Sequence, residues 1–380
     1  MKPKIAVCVL LTALLTTVSA QVPASQHVVV VVEENHNYSQ VLGSGAMPYL
    51  NSLAKQYGFA TQYYANTHPS IGNYFMMTTG QIITNNDNYN SVVTADNLVR
   101  HLLAASKTWK SYAEGLPSVG YVGGDTGLYV RHHNPFTYLS DVFYSSVQKL
   151  NLVPFSQFAI DLNNNALPDI SFVIPNINDD AHNGTLQQAD AWLQSKISPL
   201  LTNSAFLQDG ILVIVFDESA SDNTHGGGRV AAVVVGPKVS PGVRPSSLFQ
   251  HQNLLRMISE AVGLTSFPGA AATAKDMQAF FQHVKISPTS LTFGSQPVGT
   301  TSPPKAVTLT NKQTSALTGL TISTTGDFAQ TNNCGTSLAA NSSCTINVTF
   351  SPTALGTRNG NLTLNDSSGT QSASLTGTGS

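Results

Sequence analysis

Charge is scarce in this 380-residue chain. Asp, Glu, Lys and Arg make up 10% of it, against about 25% in an ordinary soluble protein. Eighteen basic side chains face 20 acidic ones, a net charge of −2. That leaves no basic surplus to neutralise the phosphates of a nucleic acid or to draw the chain onto an anionic bilayer. After the N-terminus no apolar run reaches the ~20 residues of a stable membrane span. The composition also excludes collagen-like and coiled-coil chains. What remains is 41% hydrophobic, enough for a packed core and too much for wholesale disorder. At roughly 150 residues per domain the length predicts two domains.

The first residues read MKPKIAVCVLLTALLTTVSAQ. Lys2 and Lys4 form a positive start, Ile5 to Leu15 is a short apolar stretch, and Val18-Ser19-Ala20 supplies small residues for cleavage. Residues 1–20 are therefore expected to be a secretory signal peptide, which places the protein in the medium or the periplasm. Of the three cysteines, Cys8 lies in that stretch. Cys334 and Cys344, ten positions apart with no histidine nearby, read as one disulfide in an exported chain.

Composition shifts near residue 285. No Tyr, Trp or His follows His283. The tail carries short alternating runs such as Ala306-Val307-Thr308-Leu309-Thr310, Cys344 to Phe350 and Gly360 to Leu364. Alternation of period two bounded by Gly, Pro and Asn predicts half-buried strands and a β-sandwich. The front differs. Gln26 to Val32, Ile170 to Ile174, Gly210 to Phe216 and Arg229 to Val235 are near-continuous apolar runs, the pattern of buried parallel strands. Helical patterns lie between them at Met47 to Tyr57, Ala95 to Ala105, Thr185 to Leu201 and His251 to Val262. Buried strands alternating with helices predict a layered α/β domain with a mainly parallel sheet.

In such sheets ligands bind beyond the carboxyl ends of the strands. Glu33-Glu34-Asn35-His36 comes after the first run, Asn176 to Asn183 after the second and Asp217-Glu218 after the third; His225 stands just before the fourth. Acids converging from several strands repel one another unless a cation neutralises them, and hard divalent ions such as Mg²⁺, Ca²⁺ or Mn²⁺ favour this ligand set. Between them, Asn66-Thr67-His68-Pro69-Ser70 leads into a helical run. It sets the Ser70 hydroxyl at a helix N-terminus, where either a nucleophile or an ordinary cap would stand.

These stretches, VVVVVEENHNYSQVLG, YANTHPSIGNYFMMTTG, RHHNPFTYL, PDISFVIPNINDDAHNG and LVIVFDESASDNTHGGGRVAAVVVGP, together resemble the phosphoesterase family of secreted bacterial acid phosphatases and phospholipases C. The resemblance implies an alkaline-phosphatase-like α/β domain, set here at residues 24–282. It implies metal ligands at Glu34, Asn35, Ser70, Asp217 and Glu218, a nucleophile at Ser70, and phosphate contacts from His133, Asn134, His182 and His225. His182 is also expected to act in catalysis, and its cationic form in mildly acidic medium favours an acidic optimum. Residues 286–380, through SPTSLTFGSQPVGTTSPPKAVTLTN, CTINVTFSPTALGTRNGNLTL and SLTGTGS, resemble immunoglobulin-like modules of the ASPM/SPD-2/Hydin type, read as a spacer or as a contact to a cell surface or carbohydrate. The expected activity is metal-dependent hydrolysis of a small phosphoric monoester through a phosphoseryl intermediate. A phospholipase C-type phosphodiesterase and a non-catalytic adhesion protein are the alternatives.

Overall fold

A computed structural model of the chain describes residues 22–281, 284–311, 316–366 and 369–380. The expected signal peptide lies outside the described residues. The front part contains strands β1 (Val28–Glu33), β2 (Gly58–Phe59), β3 (Tyr63–Tyr64), β4 (Trp109–Ala113), β5 (Leu152–Pro154), β6 (Ile170–Ile174), β7 (Ile211–Phe216), β8 (Ala232–Val235) and β9 (Phe249–Gln250). Its helices are α1 (Tyr38–Val41), α2 (Pro48–Gln56), α3 (Ser70–Thr79), α4 (Leu98–Ala104), α5 (Ser140–Phe143), α6 (Ser156–Asn163), α7 (Leu186–Trp192), α8 (Phe206–Asp209) and α9 (His251–Ala261).

Seven strands form one sheet in the order β2-β8-β7-β1-β6-β4-β5. Strands β7, β1, β6, β4 and β5 run parallel. The valines of β1 are completely buried, Val28 to Val32 each being 0% exposed, because a central parallel strand is covered on both faces. Register decides where the chemistry emerges. Glu33 of β1 is level with Phe216 of β7, and Ala113 of β4 with Ile174 of β6. The residues after all four strands therefore leave the sheet along one edge.

Three expectations are corrected. The fourth apolar run forms β8, which is shorter than expected and antiparallel to β7. Residues 217–231 between them hold no more helix than the three-residue turn Thr224–Gly226, whereas a parallel crossover is usually an α-helix. The helix expected from Thr185 to Leu201 ends at Trp192, continuing as a wide turn over Leu193–Ile197 and a tight one over Ser198–Thr202. Pro199 lacks an N–H and its ring crowds the carbonyl four residues back, so an α-helix cannot run through it. Strands β4 and β5 are additional to the four apolar runs. Lys110 interrupts β4, where it bonds Asp161 at 2.5 Å, so no continuous apolar run marks it.

The tail holds β10 (Val284–Ser287), β11 (Ser290–Gln296), β12 (Lys305–Asn311), β13 (Leu317–Thr318), β14 (Thr321–Thr324), β15 (Phe328–Asn332), β16 (Ser337–Leu338), β17 (Ser343–Phe350), β18 (Gly356–Asp366) and β19 (Gly369–Gly379). Two four-stranded sheets, β10-β12-β17-β15 and β11-β19-β18-β14, make the expected sandwich. Alternate residues of β17 are buried, so Ile346, Val348 and Phe350 enter a core shared with Val307, Leu309, Leu362 and Leu375. Cys334 and Cys344 form a disulfide. This core is separate from the one surrounding the parallel sheet. Among the described residues no helix is long and apolar enough to cross a membrane.

Candidate active site

Helix α3 is the element that turns a sheet edge into a site. All ten of its residues are buried, and its first residue is Ser70. The approach is shaped by Asn73, whose Oδ1 accepts from the N–H groups of Asn66 at 2.9 Å and Thr67 at 3.2 Å, while its Nδ2 donates to the Thr67 carbonyl at 2.9 Å. One amide thus satisfies three backbone groups of the 66–70 loop and fixes how the chain enters the helix.

The Ser70 hydroxyl donates to Glu34 Oε2 at 3.0 Å and lies 3.5 Å from Glu218 Oε1. Asn35, at φ +51°, occupies the left-handed region that asparagine tolerates better than most residues. That turn directs its backbone N–H to Asp217 Oδ1 at 3.1 Å, and its side-chain amide donates to Glu34 Oε2 at 3.0 Å. The loops are tied by their backbones as well: Asp217 N–H donates to the Glu33 carbonyl at 2.9 Å and Glu34 N–H to the Asp180 carbonyl at 2.8 Å. The five positions named from the sequence as metal ligands are thus brought together, from the ends of two adjacent strands and one helix.

The positions named as phosphate contacts divide. His133 is 1% exposed and wedged among the acids, with Nε2 3.4 Å from Glu34 Oε1 and Nδ1 3.2 Å from Asp180 Oδ2. His182 is exposed beside it, ring centroids 5.8 Å apart, and its backbone N–H donates to Asp180 Oδ1 at 2.8 Å. Asn134 is fully buried and its Oδ1 accepts from the Ser111 hydroxyl at 2.9 Å. His225 has a different setting, with its ring edge-on to Tyr64 at 4.5 Å and its carbonyl accepting from Gln250 Nε2.

Three neighbours were not assigned roles from the sequence. Asp180 belongs to a grouping with Glu34 and His133 whose ligand atoms lie within 4.8 Å of one another. Tyr74 donates its hydroxyl to Glu34 Oε1 at 2.5 Å and stacks its ring on His133, centroids 5.3 Å apart. The signal for it was spacing: residues 70 and 74 share one helix face. His68 contacts Glu218 at 2.9 Å.

Burial dominates the electrostatics. It raises Glu34 well above the usual carboxylate range, and the charges of Asp217 and Asp180 add to this. Burial likewise raises Asp180 to about 7 and Asp217 to about 6. Glu218 rises to about 9 through burial and then the charge of Asp217. His133 is pushed down to about 3 by burial and by His182. Asp217 Oδ2 and His133 Nε2 are buried without a hydrogen-bond partner. Carboxylates raised by burial and mutual crowding, a neutral imidazole and unsatisfied buried donor atoms form a set that a hard divalent cation would satisfy.

Replacing Tyr74 with phenylalanine should keep the ring stack and remove the phenolic donor to Glu34. A loss of about 1–3 kcal/mol in urea unfolding is expected, because a buried carboxyl oxygen is left without its donor. Unchanged stability would show that Glu34 needs no such support.

Residues 44–265 match the Phosphoesterase family, and residues 282–373 match a family described as Abnormal spindle-like microcephaly-assoc'd, ASPM-SPD-2-Hydin. The chain is 35% identical over 248 residues to a phosphatidylinositol-3-phosphatase of Mycobacterium tuberculosis, covering 65% of this chain and 80% of that one. It is 31% identical over 246 residues to an acid phosphatase of Aspergillus fumigatus, covering 61% of this chain and 54% of that one. The chain therefore spans only about half the length of the fungal relative. A solved structure from the alkaline phosphatase superfamily of Vibrio parahaemolyticus shares 12% identity, with a TM-score of 0.47 over 68% of this chain and 72% of that one.

Proposed function

Because this chain belongs to the phosphoesterase family, we propose that it is a metal-dependent phosphoric monoester hydrolase in which Ser70 is the nucleophile. The observation that carries this reading is the Ser70 hydroxyl at the start of a buried helix, within 3.0 Å of Glu34 and 3.5 Å of Glu218. Relatives named for acid phosphatase and phosphatidylinositol-3-phosphatase activity support a phosphate monoester as substrate class.

Glu34, Asp217, Glu218 and Ser70, with the Asn35 amide, would hold a divalent cation; Mg²⁺, Ca²⁺ and Mn²⁺ suit the oxygen donors. Such an ion supplies Lewis-acid polarisation of a phosphoryl oxygen and lowers the pKa of a bound hydroxyl. The chain's own residues do the rest. Ser70 Oγ gives up its proton to solvent and forms a bond to phosphorus in line with the departing oxygen, as the ester P–O bond breaks. His182, exposed beside the acids, gives the leaving alcohol its proton. A water then attacks the phosphoserine, releasing phosphate and restoring the hydroxyl.

The front unit, residues 24–282, would be the catalytic domain and residues 286–380 a spacer. The Met1–Ala20 leader pattern and the Cys334–Cys344 disulfide support an exported enzyme, since such bonds persist in oxidising compartments.

The test is hydrolysis of p-nitrophenyl phosphate by the full mature chain from acidic to basic pH, with and without EDTA, beside bis(p-nitrophenyl) phosphate. Turnover of the monoester that EDTA abolishes and Mn²⁺ or Mg²⁺ restores is expected. Activity indifferent to chelation would overturn the metal assignment, and preference for the diester would move the protein to the phospholipase C-type reading.

A further inference from the structure

We infer that His68 is a positioning residue that clamps Glu218 for metal binding, an inference resting on the reading of Glu218 as a ligand. His68 Nδ1 lies 2.9 Å from Glu218 Oε2, and its Nε2 lies 3.1 Å from the Asp222 carbonyl oxygen. A carbonyl can only accept, so Nε2 carries a proton and donates to it. Nδ1 and Glu218 Oε2 share the second hydrogen bond, so the ring bridges the carboxyl group to the loop.

The far anchor is rigid. The Asp222 carbonyl accepts from Ser219 Oγ at 2.6 Å and its N–H donates back to Ser219 Oγ at 3.0 Å. Its Oδ1 accepts from Thr224 N–H at 2.9 Å and its Oδ2 from Arg229 N–H at 2.8 Å. Gly228 completes the turn at φ +80°, where any Cβ would strike Ser219 Oγ and the Asp222 carbonyl. His68 is therefore held between a fixed loop and a carboxylate that is 5% exposed.

The two oxygens of Glu218 have different partners. Its Oε1 is 3.5 Å from Ser70 Oγ and its Oε2 is held by His68. One three-residue segment, His68 to Ser70, thus meets both oxygens. A glutamate carries one more rotatable bond than an aspartate, and a carboxylate that must present one oxygen toward the serine needs its other oxygen restrained. His68 supplies that restraint. Its sequence position, two before Ser70, places both groups by the same loop that Asn73 shapes.

Two substitutions separate the contacts. The amide nitrogen of His68→Asn falls near the Nδ1 position and keeps a donor to Glu218, whereas that of His68→Gln falls near Nε2 and keeps only the Asp222 contact. The measurement is Mn²⁺ affinity of the EDTA-treated, dialysed full chain by titration calorimetry, with circular dichroism of each metal-free variant. H68Q is expected to weaken Mn²⁺ binding about 10- to 100-fold and H68N to stay within about threefold of wild type, the range seen when a ligand loses or keeps its supporting partner. A double-mutant cycle adds Glu218→Asp, which draws the carboxylate back from His68: its loss of affinity should be large in the wild-type background and small beside H68Q. Equal affinities for H68N, H68Q and wild type would overturn the clamp. So would loss in H68N with retention in H68Q, which would assign His68 to the Asp222 loop alone. Wild type that binds no Mn²⁺, or Glu218→Gln that binds as tightly as wild type, would instead remove the ligand reading on which the clamp stands. Should H68Q not fold, His68→Ala, which removes both contacts, takes its place in the cycle with Glu218→Asp, where additive losses would overturn the clamp.

Discussion

Ser70→Ala is expected to lower kcat on p-nitrophenyl phosphate by about four orders of magnitude or more, the scale on which removal of an enzymic nucleophile acts. At about 1.36 kcal/mol per decade this is at least about 5 kcal/mol of transition-state stabilisation. Alanine is a good helix former, and Ser70 is the first residue of a helix whose ten residues are all buried, so the helix itself should persist. What the variant loses is the donor to Glu34 Oε2. Circular dichroism unchanged from wild type, with turnover at background, is the expected pair of results. A variant retaining more than about a tenth of wild-type kcat would exclude Ser70 as the attacking group and pass the role to a water activated among the acids.

Removing divalent cations should make the protein less stable as pH rises. In the folded chain Asp217, Asp180 and Glu218 are raised to about 6, 7 and 9, chiefly by burial. Unfolded, the same groups return to 3.8, 3.8 and 4.5. Each binds its proton more tightly in the folded state. His132, His133 and His251, lowered by burial to about 4, 3 and 4, oppose this below about pH 6.5, so it is between about pH 6.5 and about pH 9 that the folded chain holds more protons than the unfolded one. Stability then falls with rising pH across that window. A cation that satisfies the carboxylates replaces those protons and removes the slope; at about a hundred times its Kd it would add about 2.7 kcal/mol. Urea unfolding followed by tryptophan fluorescence reports this unit, because both tryptophans, Trp109 and Trp192, are buried in the front core. The urea midpoint in EDTA should drop from mildly acidic to mildly basic pH and recover when Mn²⁺ is added. A flat or rising midpoint in EDTA would mean that the acids are satisfied without a cation.

Much of the site was legible because its residues sit where strand and helix ends must be. Glu34, Asp217 and Glu218 come directly after long apolar runs, and Ser70 opens a helical pattern. Any fold that buries those runs in a parallel sheet delivers the residues at their carboxyl ends to one edge. The sandwich was legible for a similar reason: alternation along β17 leaves one face to bury. Asp180, Tyr74 and His68 were harder to assign. Their importance lies in contacts 146, 40 and 150 residues away in sequence, to Glu34, Glu34 and Glu218, and no local pattern marks a long-range contact.

Glu33 and Glu34 make the boundary concrete. The sequence by itself determined that an acidic pair ends a buried strand, that a serine begins a buried helix, and that the tail is a separate β-sandwich, because hydrophobic period and end residues are local properties. It could not decide which glutamate meets Ser70. Successive strand residues point to opposite faces, and only the position of α3 selects one of them. Glu34 receives Ser70, Tyr74 and Asn35, whereas Glu33, also fully buried, leaves both carboxyl oxygens without a hydrogen-bond partner and is raised well above the carboxylate range by burial and then Asp180. That choice belongs to tertiary structure, because it is made by packing one helix against one face of a sheet.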